Sequence, residues 1–299
     1  MTVSMNTVSN QEQNCYKKPG TGAVIGGLIA GSFVHGLADM PHSIGAPIIM
    51  ARAAMLSNSL NKDEFSQVEK AVKETIKRSG LEDKGVSIIK TTAENKDEVA
   101  KIVQKEIDNS PLKYLPKGLK DSLGKKIYSQ MTSGQNACYT FASKKILMPE
   151  KELCLALFHE TGHAMNANLS NIGKALQKCR IATALGLPIA LIALLKNKKA
   201  EGEKPKNDLD KTTTFIKNNA GKLTFATFIP MLLEEGLATA KGNKFAKEIL
   251  SSNLAEKVVR TNSLGFMTYL LLATTSSLGI YLGTKVKDSI ARNKIADED

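Results

Sequence analysis

Four stretches of this chain are apolar over lengths that a solvated surface does not tolerate, and charged segments separate them. From Gly20 to Ala38 there is no Asp, Glu, Lys or Arg. As a helix that run extends about 29 Å, close to the thickness of a hydrocarbon core. Lys17 and Lys18 precede it. Its length, its glycines and the lack of a clear cleavage site argue for a retained segment over a secretory signal. Gly22/Gly26 and Gly27/Gly31 form small-xxx-small pairs, which let helices pack closely in lipid. Asp39–Met55 follows, holds Pro41 and Pro47, and reads as a broken or interfacial helix. The strongest span is Thr261–Gly283, uncharged between Arg260 and Lys285. Two shorter runs precede it. Ile181–Leu195 reaches about 22 Å and Leu223–Leu233 about 16 Å as helices. The second lengthens backwards through Phe215 if Lys217 and Lys222 snorkel. Between them, Lys196–Lys222 is polar and lysine-rich, with Gly202 and Pro205, and reads as exposed or disordered.

The remaining chain carries soluble patterns. Phe65, Val68, Val72 and Ile76 make a helical stripe over Asn61–Ser79. Val86–Ile89 suits a short strand, Glu98–Ile107 an amphipathic helix, and residues 111–124, with two Pro and two Gly, a loop. Ala137–Phe141 and Lys145–Met148 read as paired strands leading into a further helix.

Composition narrows the partners. The chain of 299 residues has a formal charge of +12 and 42% hydrophobic residues. Such a charge suggests an anionic partner. Neither zinc-finger spacing nor an aromatic-rich basic strand is present, which argues against nucleic acid. Anionic membrane lipids are the simpler partner beside the apolar runs. Cys15, Cys138, Cys154 and Cys179 have no CxxC spacing and suggest no disulfide framework; they read as small buried residues.

The chemistry concentrates at His159-Glu-Thr-Gly-His163. Positions i and i+4 of a helix share a face, so both imidazoles can serve one metal ion while Glu160 reaches a water beside it. In the ten residues Ala156–Met165 the only charge is Glu160, as expected of a buried helix. Glu150, Lys151 and Glu152, after Pro149, suit its first turn. A zinc site of this kind needs a third protein ligand and an open position. The other histidines, His35 and His42, lie far upstream, and no His or Cys follows Cys179. The third ligand should therefore be a carboxylate, and Leu233-Glu-Glu-Gly-Leu-Ala-Thr-Ala240 offers two on an apolar helix. They point about 100° apart, so one binds metal and Glu235 is preferred over Glu234.

His-Glu-x-x-His followed by a separate Glu-x-x-Ala helix resembles the gluzincin peptidases, above all the membrane-embedded group of HtpX-type heat-shock proteases and CAAX-prenyl proteases. Asn136-Ala137, ten residues before Ile146-Leu147-Met148, resembles that family's Asn-Ala strand motif; Phe158–His163 and Glu235-Gly-Leu-Ala238 resemble its metal helix and third-ligand helix. The likeness covers about residues 60–245, with some fifteen specific positions. It implies a zincin-like metallopeptidase core, mainly α with a small β-sheet and transmembrane helices, with zinc held by His159, His163 and Glu235 and Glu160 as the base. One departure is Thr239, where the family usually has an Asp that helps orient a ligand histidine.

Glu235 must sit on the same membrane side as His159 and His163, so the chain between them crosses zero times or twice. Two apolar runs around a charged loop satisfy this as a hairpin, and the resemblance implies the same; two buried helices of a soluble zincin are the alternative. The expected organisation is a polar tail over 1–18, a membrane segment over 19–56 and a catalytic region over 57–180. A hairpin over 181–233, the third-ligand region over 234–260, a transmembrane helix over 261–284 and a charged tail over 285–299 follow. The function implied is zinc-dependent endopeptidase action on a protein or peptide substrate at a membrane. A metal-binding scaffold without activity is the alternative from another class. Ala137, Cys138 and Tyr139, with Asn136, form the expected substrate strand, an edge lying in 137–141 or 145–148. Arg260 is a candidate oxyanion donor by proximity. The positive-inside rule puts both tails and the lysine-rich loop in the cytoplasm, opposite the metal site. The resemblance implies a cytoplasmic site instead, which needs Asp39–Met55 to return across the membrane. Free Cys138 and Cys154 suit that reducing compartment, which is favoured.

Overall fold

The computed structural model describes residues 20–92, 94–110, 113, 116–132, 137–148, 154–199 and 203–296. The chain opens with a 38-residue helix, α1 (Thr21–Asn58). Helix α2 (Lys62–Arg78) starts at a capping box in which Asn61 and Glu64 each accept the other's backbone N–H. Strand β1 (Ser87–Lys90), helices α3 (Lys96–Asp108) and α4 (Lys117–Thr132), and strands β2 (Cys138–Thr140) and β3 (Lys145–Met148) complete a small lobe. The helix α5 (Leu157–Leu169) carries the two histidines. Next come α6 (Asn171–Cys179), a 3-10 stretch (Arg180–Leu185), α7 (Gly186–Leu195), α8 (Asp208–Asn218), α9 (Ala220–Ile249) and α10 (Ser252–Ala296).

The sheet has the order β1-β3-β2, with β1 parallel and β2 antiparallel to β3. The pleat sends alternate side chains of β3 to opposite faces. Ile146 and Met148 enter the main core with Val68 and Val72 of α2 and Leu157 and Phe158 of α5. Leu147 enters a second cluster with Val99, Ile102 and Val103 of α3. The sheet is thus covered on both faces, and β2 is one of its two edges.

Three helical stretches are long and apolar enough to cross a membrane: Thr21–Asn58, Asn171–Leu195 and Ser252–Ala291. α1 and α10 run antiparallel at close range. A Cβ on Gly31 would lie 2.6 Å from the Gly283 carbonyl, and one on Gly27 2.9 Å from that of Lys287. The second small-xxx-small pair therefore makes the contact expected of it, whereas nothing approaches Gly22 or Gly26 within 4 Å. The outer face of α1 shows Ile25, Ile29, Phe33, Leu37, Ile44 and Ile48 to the surroundings. That spacing is one helical stripe.

Several expectations are corrected. Residues 39–55 neither break nor return: Pro41 and Pro47 lie inside α1, which stays continuous. A fixed φ near −65° is compatible with a helix, and α10 supports the far side, with Leu271 3.0 Å from where a Gly45 Cβ would be. Residues 117–132 form α4 rather than a loop. The run 181–195 is extended by α6 to 25 residues. The lysine-rich segment contains α8, capped by Asn207. Lys217 does not snorkel; it is buried, 2.7 Å from Asp288. Strand 145–148 is interior, which leaves β2 as the edge within the 137–148 pair.

Candidate metal centre

α5 and α9 meet almost backbone to backbone. A Cβ on Gly162 would collide with the Ala238 carbonyl, and one on Gly242 with that of Phe158. Only glycine permits this approach, and it places the His159–His163 face within side-chain reach of Glu235. Both glutamates of the pair are fully buried. Being successive on α9 they point in different directions, and each meets a different layer of the site.

His159 Nε2 lies 3.1 Å from Glu235 Oε2 and 2.9 Å from His163 Nε2, and His163 Nε2 lies 3.4 Å from Glu235 Oε2. These three residues form a buried group able to hold a metal ion. The outer nitrogens show why. His159 Nδ1 lies 3.1 Å from Thr239 Oγ1, and His163 Nδ1 lies 2.8 Å from Glu234 Oε1. With Nδ1–H donating to these acceptors, both Nε2 atoms are left as lone pairs. Two imidazole lone pairs and a carboxylate oxygen then face one another in a buried space. A proton on one nitrogen satisfies only one of these contacts; a cation among the three satisfies all. The centre attracts positive charge: burial lowers the His163 pKa, but Glu235, Glu234 and Glu160 outweigh it and push it up to about 10. Tetrahedral zinc with bonds near 2.0–2.1 Å separates its ligand atoms by about 3.3 Å. The observed spacings, 2.9–3.4 Å, fit it.

Glu234 has no direct place in the triad. Its Oε1 accepts from His163, from Asn166 Nδ2 at 2.9 Å and from Gln177 Nε2 at 3.0 Å, and its Oε2 from Arg180 Nη1 at 2.9 Å. Arg180 also meets Glu235 Oε1 at 2.8 Å through Nη2. One guanidinium thus spans both glutamates, with Tyr269 of α10 close enough to influence it. Lys241 Nζ, 2.6 Å from Asn166 Oδ1, closes the network. Groups holding a ligand from behind fix its tautomer and tune its basicity. Thr239 takes up the orienting role at His159, so the departure from the family's Asp leaves that histidine with a partner.

Glu160 is half-buried beside the triad. Its Oε2 accepts the Tyr139 backbone N–H at 2.6 Å. Burial is the largest influence on its carboxyl and raises the pKa, against the lowering pull of both histidines and the Tyr139 amide. The amide that holds Glu160 belongs to edge strand β2, so this strand runs beside the centre. Tyr139 also accepts a bond from Asn168 Nδ2, 2.8 Å from its hydroxyl. Ala137 is buried at the start of the strand, and Asn136 lies outside the described residues, as do Pro149, Glu150, Lys151 and Glu152. Cys138 is half-buried and burial pushes its thiol up; Cys154 is buried and pushed up to about 11.

Arg260 sits elsewhere. It is exposed on α10, paired with Glu256 at 2.6 Å. The cation at the centre is Arg180, which sequence reasoning missed together with Gln177, Asn166 and Tyr269. A signal existed for two of them: Asn166 is three residues beyond His163, on the same face, and Arg180 opens an otherwise uncharged run. No family model, no curated protein and no solved structure matches the chain, so the chemistry open to this site is read from its own geometry.

Proposed function

We propose that the chain is an integral-membrane zinc endopeptidase acting on extended protein or peptide segments at the membrane surface. The observation that carries this reading is the convergence of three possible ligand atoms, one each from His159, His163 and Glu235, on one buried point, with Glu160 held beside it by the edge-strand amide of Tyr139.

His159, His163 and Glu235 would hold the zinc, which when bound supplies Lewis acidity towards a water and a carbonyl. Glu160 takes the water's proton and delivers it to the leaving amine. Tyr139 N–H anchors one carboxylate oxygen and leaves the other for that proton. The raised pKa makes Glu160 a stronger base than an ordinary carboxylate. β2 is an edge strand whose Tyr139 N–H is already held by Glu160; a peptide adds there as a further strand through the remaining main-chain groups, so main-chain bonds set affinity. Tyr269, beside Arg180 at the metal end of α10, takes the place of Arg260 as the candidate donor to a developing oxyanion.

The bundle suggests an orientation. Tyr269 marks the metal end of α10 and Lys287 the other, 18 residues away, or about 27 Å of helix. That distance approaches a hydrocarbon thickness of about 30 Å. The N-terminus of α1, the lysine-rich loop and the C-terminal end of α10 share the Lys287 end. The positive-inside rule then places this end in the cytoplasm and the metal centre on the opposite side.

The test is Glu160→Gln. The variant should bind metal as the parent does and lose hydrolysis of casein and of a membrane-embedded peptide, because an amide cannot accept the proton. A parent that binds zinc and cleaves neither substrate would turn the reading to a metal-stabilised scaffold.

A further inference from the structure

At the lysine end of the bundle, far from the metal centre, a cavity of about 370 Å³ lies between α8, α9 and α10. Its lining includes Lys198, Lys217, Lys285 and Asp288, with the hydroxyls of Thr284 and Ser289. Lys287, fully buried, stands behind it and donates to the Lys196 carbonyl at 2.7 Å and to Asn197 Oδ1 at 3.0 Å. Asp288 is the one carboxylate in this lining, and it is already met by Lys217 at 2.7 Å and Lys287 at 3.8 Å. Lys198 and Lys285 reach no carboxylate among the described residues; Lys285 instead lies 5.6 Å from the centre of the Tyr281 ring. Four ammonium groups around one carboxylate leave a local excess of positive charge.

A second, apolar groove of about 490 Å³ lies next to this cavity and shares the lining residues Gly221 and Tyr281 with it. It follows α9 and α10 towards the metal end, past Phe225, Thr274 and Leu278. Gly221 forms the junction: a Cβ there would lie 2.9 Å from Tyr281 Cβ, and Ser277 Oγ donates to the Gly221 carbonyl at 2.6 Å. A cationic chamber at one helix end beside an apolar groove along the span has the polarity of a phospholipid, head and tail.

We propose that this composite site binds one anionic phospholipid, with its headgroup phosphate in the lysine cavity and an acyl chain in the groove. Charge complementarity selects the anionic headgroup, and the apolar groove adjoining the cavity selects a lipid over a free ion. The basic side chains that would meet the phosphate, Lys198 and Lys285, are exposed and free to turn towards it. The inference rests on membrane insertion and is independent of peptidase activity.

The full chain is purified and reconstituted in phosphatidylcholine nanodiscs, with flotation of phosphatidylcholine vesicles as the separate measure of insertion. Fluorescent phosphatidylglycerol is titrated in, against fluorescent phosphatidylcholine as control. Wild type should prefer phosphatidylglycerol by at least tenfold. Lys198→Gln and Lys285→Gln should each weaken this preference about fivefold, the ratio given by about 1 kcal/mol per basic residue at an anionic surface. Thr274→Trp, which fills the exposed side of the groove, should weaken binding of the lipid and leave the thermal transition in phosphatidylcholine unchanged. Equal affinity for the two lipids overturns the proposal. Displacement of the probe by inorganic phosphate at concentrations matching the lipid, unaffected by Thr274→Trp, overturns it in favour of a free-anion site. A chain that does not float with phosphatidylcholine vesicles removes the membrane reading itself.

Discussion

Replacing Glu234 separates a metal ligand from the group that holds one. In the sequence the two glutamates are adjacent, with a preference for Glu235 only; in the structure Glu235 belongs to the triad and Glu234 accepts four hydrogen bonds from His163, Asn166, Gln177 and Arg180. In Glu234→Gln the amide nitrogen can stand only where Oε2 was, because three donors converge on Oε1. It then opposes Arg180 Nη1, which loses this partner and keeps Glu235 through Nη2. His163 keeps an acceptor, now uncharged. Removing such an outer partner costs about 10–100-fold in metal affinity, and this variant belongs near the lower bound. Glu234→Ala removes every acceptor and belongs near the upper bound, about 2.7 kcal/mol. It also leaves buried donors unpaired, and with Arg180 one-third exposed the stability loss should be about 3 kcal/mol, the lower end for a broken buried pair. Glu235→Ala deletes a ligand and must lose more affinity than either. Zinc competition against a chromophoric chelator in detergent measures the affinities, and thermal unfolding followed by circular dichroism measures the stability. Wild-type zinc affinity in Glu234→Ala, or a larger loss there than in Glu235→Ala, would refute the assignment of layers.

Other outcomes follow from the same geometry. Tyr139→Pro removes the amide that anchors Glu160 and obstructs strand addition at β2, so KM should rise or cleavage vanish while zinc stays bound; unchanged peptide kinetics would exclude β2 as the docking edge. Gly162→Ala should push α5 from α9, costing about 1–3 kcal/mol in the melting transition and most of the zinc affinity. A melting temperature and zinc content equal to wild type would show that the helices do not need this contact. In a cysteine-free chain, Lys101→Cys on the lobe should react with a membrane-impermeant maleimide on intact cells and Lys204→Cys only after lysis. The reverse pattern would place the metal centre in the cytoplasm. Cys138 is a poor probe for this, since burial keeps its thiol protonated.

What the chain declares by itself is local. The i, i+4 spacing of His159 and His163, the buried character of their helix and three of the four apolar runs are properties of neighbouring residues, and the structure shows them as read; Leu223–Leu233 lies within α9 and is not among the stretches of spanning length. The count of histidines was enough to make the third ligand a carboxylate. The helices α2 and α3 and the three strands follow from periodicity within a few turns. Contacts between distant segments were not legible. Glu235 and Glu234 were separated only by the rotation of α9 against α5, which the two close-approach glycines fix. Thr239 is 80 residues from the His159 it orients, and a hydroxyl so placed has no sequence signature. The edge of the sheet depended on which strand β1 chose to pair with. The two prolines of α1 read as breaks because intrinsic propensity was the only available guide. Packing against α10 along its length is a tertiary contribution that outweighs the lost hydrogen bonds. Likewise Lys217 read as a snorkelling charge and Lys287 as part of a charged tail, and only tertiary contacts bury them: Lys217 meets Asp288 of α10, and Lys287 packs against Gly27 and Gly31 of α1. Periodicity determines which face of an element is apolar; which other element covers that face is decided by the assembled fold.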